Sequence, residues 1–267
     1  MGRFRLACHL IQFRGEEREN PEKVFREVAE AGWDGVEGVG AVSAEELVEL
    51  AVLARSFGLR LVNIGARNSP VDRVKYNIVL DNGAAEVPSR RRADWGGDDP
   101  TDEDIERAAR SMDEVLSFCK RYGIKGFHHA HLRTLIETVE DAERLMSAAP
   151  DLWLLYDTGH FLAAGSDPMQ VFENDDLKNR IGHVHLKDCH ADDPATWNHR
   201  TQKFNEQARF AELGEGNLGL DTKAVMTKLE EIGYDGWVCV ELDRPFPPKP
   251  PADAAKSNRE RLRELGY

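Results

Sequence analysis

Three short polar runs hold the residue types that catalysis uses: Asp157-Thr158-Gly159-His160, His183-Val184-His185-Leu186-Lys187-Asp188 and Glu241-Leu242-Asp243. In the middle run side chains alternate across a strand, so His183, His185 and Lys187 share one face while Val184 and Leu186 pack on the other. Three polar groups on one strand face need a polar cavity or a metal, because an unsatisfied buried polar group costs about 1–3 kcal/mol. Asp157, 26 residues before His183, ends another strand-like run, and the two ends read as one site. One residue from each of four strand ends, Glu137, Asp157, His185 and Glu241, would give a set of two Glu, one Asp and one His. That oxygen-rich set suits Mn²⁺, Mg²⁺ or Co²⁺ better than a structural zinc site, which prefers thiolates and histidines. A divalent ion polarises a carbonyl and acidifies the neighbouring C–H. Glu137 or Glu241 could then remove or return that proton.

The elements that must position these residues alternate regularly. Leu6 to Phe13 reads as a first strand. Asn20-Pro21 then caps a helix whose Val24, Phe25, Val28 and Ala29 recur at helical spacing up to Gly32. Residues 35–39 form a second strand, and Ser43 with Glu46 in a capping box opens a helix to Phe57. A third strand covers 59–64. Tyr76 to Leu80 has strand propensity, but Ser69-Pro70 with Val71, Val74 and Ile78 on one face predicts a helix. A short fourth strand, 84–88, precedes a charged loop and one long amphipathic helix from Thr101 or Asp102 to Gly123. Residues 126–131, 153–157, 181–187 and 237–243 are strands five to eight, and 252–265 a closing helix. Eight alternations predict an α/β fold, a (β/α)8 barrel in one domain over 1–267, whose active site gathers at the strands' carboxyl ends. The absence of a GxGxxG after strand one disfavours an open dinucleotide-binding sheet.

A formal charge of −13, from 48 acidic and 35 basic residues, argues against a nucleic-acid partner and for a small molecule. Cys8, Cys119, Cys189 and Cys239 form no CxxC pair and read as thiols of a cytoplasmic protein. Arg3 and Arg5 precede an apolar run too short and too polar for a signal peptide, and no stretch is apolar enough to cross a membrane.

Taken together, His129-Ala130-His131 with Thr134 and Ile136-Glu137-Thr138, Asp157-Thr158-Gly159-His160, the run 183–188, Gly214-Glu215-Gly216 with Asp221, and Gly233-Tyr234-Asp235-Gly236-Trp237 leading to Glu241-Leu242-Asp243 resemble the xylose-isomerase-like barrel superfamily of sugar isomerases and epimerases, over nearly the whole chain. Within it the chain is more similar to the inosose dehydratase branch. The resemblance implies one divalent ion, Mn²⁺ first with Mg²⁺, Co²⁺ or Zn²⁺ as alternatives, on Glu137, Asp157, His185 and Glu241. It implies substrate contacts from His160 and Lys187, with His129, His131 and Arg133 as further candidates. Arg133 stands where that branch would carry a glycine. The implied activity is a metal-dependent isomerase or epimerase acting on a ketose, keto-sugar or keto-cyclitol, or a dehydratase sharing its enolisation step. A homo-oligomer is compatible with this reading.

Plainer roles compete at several positions. Glu137 could serve a helix dipole, His128 and His183 read as structural, Glu37 could line the pocket or face solvent, and Arg133 could be a surface residue. Trp197, His199, Arg200, Lys203 and Phe210 lie in the long segment after strand seven and could form a lid. An abasic-site endonuclease would need a zinc cluster and a basic surface, and an accessory barrel without turnover would not need the ligand set.

Overall fold

The computed structural model describes residues 4–15, 19–66 and 69–267. Arg3 lies outside them. Eight strands form one curled parallel sheet: β1 Arg5–His9, β2 Gly35–Glu37, β3 Arg60–Leu61, β4 Ala84–Glu86, β5 Lys125–His129, β6 Trp153–Asp157, β7 Ile181–Leu186 and β8 Trp237–Val240, in the order β3-β2-β1-β8-β7-β6-β5-β4. This is a (β/α)8 barrel. Register sets the site before any side chain is considered, because Asp157 pairs with His185, and His9 with Glu37, at the carboxyl edge.

Most strands are shorter than the sequence suggests. β1 stops at His9 because the His9 imidazole accepts the Ile11 N–H and turns the chain into a 3-10 segment, Leu10–Gln12. β3 and β4 share no ladder. Their seam is closed by side chains: Asn63, in a left-handed conformation at φ 42°, accepts the Glu86 N–H, and Arg73 pairs with Glu86 at 2.5 Å.

The helix starts follow their caps. Ser69-Pro70 overrides strand propensity and opens the helix Pro70–Val79. Ser43 caps Ala44–Ser56, although Glu46 accepts from Val42 rather than closing the capping box. The single helix expected to Gly123 is two, Asp102–Arg110 and Asp113–Arg121. Arg90 takes the Ser111 carbonyl at 2.9 Å and withdraws it from the helical ladder at that break. After β7 the long segment is ordered by an antiparallel ribbon, Asp188–Ala191 with Ala208–Ala211. Asp188 accepts the N–H groups of Gly214 and Gly216, and a Cβ at Gly216 would overlap its carboxylate. The closing helix Pro251–Glu264 ties back to the first through Arg259 on Gly32 and Arg263 on Ala31. Among the described residues no helix is long and apolar enough to cross a membrane.

Candidate metal centre and acid–base pair

Four strand ends bring His129, Asp157, His185 and Glu241 within 4.8 Å of one another. His129 Nε2 lies 3.3 Å from Asp157, and His185 Nδ1 lies 3.5 Å from Asp157 and 2.7 Å from Glu241 Oε2. Among the described residues, neither His185 Nδ1 nor Glu241 Oε2 has a well-directed hydrogen-bond partner. The far side of His185 explains why. Glu37 accepts from His183 Nε2 at 2.7 Å, His185 Nε2 at 3.1 Å and Asn63 Nδ2 at 2.6 Å. With its proton on Nε2 alone, His185 turns a lone pair toward a second acceptor, and a cation between them, or a second proton on the ring, makes the pair favourable. The residues therefore fit a divalent ion. Burial opposes a charge on His185, but Glu37, Glu241 and Asp157 outweigh it and raise its pKa well above the ordinary value, so a proton can also hold this place.

Glu137, expected among the ligands, stands apart from them. Its carboxylate is 2.9 Å from Arg92 Nε and 2.7 Å from Arg200, and it accepts the Arg133 N–H at 2.5 Å. Arg92 also pairs with Asp141, so Glu137 belongs to a buried ionic cluster that joins the β4 and β7 loops. His129 takes the place at the end of β5. The set is thus two imidazoles and two carboxylates, rather than three carboxylates and one imidazole. Arg133 is exposed at φ 70°, the left-handed conformation that favours the glycine expected there.

Beside the cluster, the backbone of Leu132 fixes two tautomers. Its N–H donates to His160 Nδ1 at 3.3 Å, and its carbonyl accepts from His131 Nδ1 at 2.7 Å. His160 therefore presents an N–H at Nε2 and His131 a lone pair, with ring centroids 3.8 Å apart. Burial holds His160 well below the ordinary histidine pKa against the pull of Asp157, and desolvation with neighbouring His129 lowers His131. Both shifts favour the neutral ring. Lys187 is fully buried, 3.2 Å from Glu241, 3.1 Å from Asp243 and 4.0 Å above the Phe210 ring. Burial opposes its charge, but Glu241, Asp157 and Asp243 outweigh it and raise its pKa.

Of the residues considered for a lid, Phe210 packs on His160, Trp197 donates to the Ala163 carbonyl, and Arg200 and His199 approach Glu137. A cavity of about 280 Å³ opens between the cluster and the β3–β4 seam, lined by His9, Asn63, Arg73 and Glu86 among others. Sequence reasoning missed these four. Of them only His9 carried a signal, as an imidazole at the end of an apolar strand.

A family model described as xylose isomerase-like TIM barrel matches residues 25–265. An inosose dehydratase of Geobacillus kaustophilus is 28% identical over 278 residues, 91% of this chain and 87% of that one. Matches to several other inosose dehydratases, such as that of Clostridium tetani at 55%, cover about half of those chains. Among solved structures, an IOLI protein with a bound zinc atom superposes with a TM-score of 0.69 at 18% identity over 98% of this chain and 98% of that one. A Methylomonas D-allulose 3-epimerase superposes at 0.67 and 15% identity, covering 99% of each. With eight parallel strands and the matched span, the chain belongs to the xylose isomerase-like TIM barrel family.

Proposed function

We propose that this protein is a divalent-metal-dependent enzyme that moves a proton beside the carbonyl of a keto-cyclitol or keto-sugar, with loss of water as the favoured outcome. What carries the reading is the opposed pair His185 Nδ1 and Glu241 Oε2, completed by Asp157 and His129 and set beside two imidazoles of fixed and opposite polarity. Asp157, His185, Glu241 and His129 would hold the ion; two imidazoles and two carboxylates suit Mn²⁺, Co²⁺ or Zn²⁺ better than Mg²⁺. Bound there, the ion supplies a Lewis acid that polarises a carbonyl and lowers the pKa of the adjacent C–H.

The chain's own groups divide the remaining work. The His131 Nε2 lone pair accepts the substrate proton. Glu241, expected as a base, already faces both His185 and the Lys187 ammonium, and Glu137 is held by two guanidinium groups. The His160 Nε2–H hydrogen-bonds a substrate hydroxyl, which in a dehydration leaves as water on taking up the proton that His131 has accepted from carbon, so that both rings end neutral. Lys187 stabilises negative charge developing on substrate oxygen. Phe210 and the ribbon that carries it exclude water from that side.

The name shared by the curated relatives favours dehydration of a keto-inositol. Epimerisation is the second reading, favoured by the superposition on an epimerase, and it differs only in where the proton returns. The buried free cysteines favour a reducing, cytoplasmic setting. The test is to incubate metal-loaded protein with keto-inositol in deuterium oxide. Deuterium beside the carbonyl, or an unsaturated product, is expected. Neither of these from keto-inositol or a ketose panel would sink the proposal.

A further inference from the structure

On the outer wall of the barrel a different surface stands open. Among the described residues, Val42, Val48, Val52 and Val79 are large apolar side chains left exposed, Val48 at 59%, Val52 at 54% and Val79 at 74%. All lie on or beside the helices Ala44–Ser56 and Pro70–Val79. The first of these already buries Leu47 and Ala54 against the barrel, with Leu50, Ala51 and Leu53 partly covered. A helix that is apolar on both faces is one that packs on both faces.

The outward stripe of that helix has an internal order. Glu45, Val48, Val52 and Arg55 follow at i, i+3, i+7 and i+10, all exposed and all on one side. About Leu50 the stripe is complementary to itself: Glu45 and Arg55 are equidistant from it, as are Val48 and Val52. A two-fold interface sets residue i against j and j against i. Two antiparallel copies of this helix, crossing at Leu50, therefore set Val48 against the partner's Val52, and Glu45 against the partner's Arg55, each twice. A parallel pairing would set like charge on like charge at both ends. Alongside runs a groove of about 440 Å³ lined by Val48, Arg55, Leu61 and Val79, which extends the apolar surface beyond the stripe.

We propose that the protein is a two-fold dimer and that the helix Ala44–Ser56, packed antiparallel on its own copy, forms the centre of the interface. The occupant of this surface is a second copy of the chain, chosen by the stripe's own charge complementarity. This role does not depend on the reaction proposed above, and its test needs no substrate.

The full chain is examined by analytical ultracentrifugation at up to about 100 μM, where an interface of ordinary size is populated. The wild type is expected to sediment as a dimer and Val52→Asp as a folded monomer by circular dichroism. Glu45→Arg and Arg55→Glu each place two like-charge pairs in the interface and should weaken association about tenfold or more. The double reversal Glu45→Arg/Arg55→Glu should restore it. A purely structural effect predicts the opposite order, because the double variant opposes the helix dipole at both ends and would then be the worst of the three. A monomeric wild type, an oligomer that Val52→Asp leaves intact, or a double variant no better than either single one would overturn the proposal.

Discussion

Glu37 Oε1 lies 3.1 Å from His185 Nε2, on the side of the ring away from Asp157 and Glu241. The same carboxylate bonds His183 and Asn63, so three donors lock it. Glu37 is thus the group that aims His185 Nδ1 at the cation position. Outer partners of this kind tune affinity rather than create it. Glu37→Gln should weaken binding of Mn²⁺ or Zn²⁺ about 10–100-fold while leaving one ion per chain at saturation, read by titration calorimetry. Unchanged affinity would remove Glu37 from this role.

Glu137 and Glu241 separate two accounts of the site. Both are buried carboxylates near strand ends, but only Glu241 shares the cluster with Asp157 and His185. Elemental analysis of dialysed protein should show Glu241→Gln losing its ion and Glu137→Gln keeping it. Saturating metal should stabilise the wild type by about 2.7 kcal/mol at 100-fold above Kd, an increment absent from Glu241→Gln. Metal loss on Glu137→Gln with retention in Glu241→Gln would reverse the assignment.

His128 gives a pH dependence outside the ligand set. Its Nε2 accepts the Arg90 N–H at 3.0 Å, and burial lowers its pKa from 6.5 to about 4. In that window the unfolded chain binds a proton that the folded one refuses, so stability rises with pH. It is full above about 6.5 and falls on acidification toward 4, by up to about 3 kcal/mol. His128→Gln keeps an acceptor for Arg90 and cannot titrate. Urea unfolding should show a shallower acid limb in the variant, and identical slopes would count against this origin.

The barrel and part of its site were legible because period-2 runs and caps are local. Ser69-Pro70 outweighed the strand propensity of Tyr76 to Leu80, and alternation put His183, His185 and Lys187 on one face. Glu137 lies away from the cluster because the chain reverses after β5. Arg133 turns left-handed and His131 donates to the Ile136 carbonyl, which carries Glu137 toward Arg92 rather than along the strand axis. Spacing does not encode direction through such a turn. His129, read from the sequence as a candidate substrate contact, stands in the cluster at the end of β5. The break at Ser111 depends on Arg90, 21 residues earlier in the chain, and no helical periodicity records that contact.

Gly159 offers a test of how tightly the site is built. It lies in the short helix Thr158–Ala163, where alanine would be favoured by about 1 kcal/mol on propensity alone. A Cβ there would meet the Lys187 stem at 2.5 Å from Cγ, 2.7 Å from Cβ and 2.8 Å from Cδ. The stem cannot yield, because Lys187 Nζ is tied to Glu241 and Asp243 and its backbone N–H donates to Thr158 Oγ1. Overpacking of this kind costs about 1–3 kcal/mol and outweighs the propensity gain. Gly159→Ala should therefore be less stable to urea and lose turnover, because a displaced ammonium leaves both Glu241 and the substrate oxygen. A variant more stable than wild type with turnover intact would mean that Lys187 has room to move and that its position is not set by Gly159.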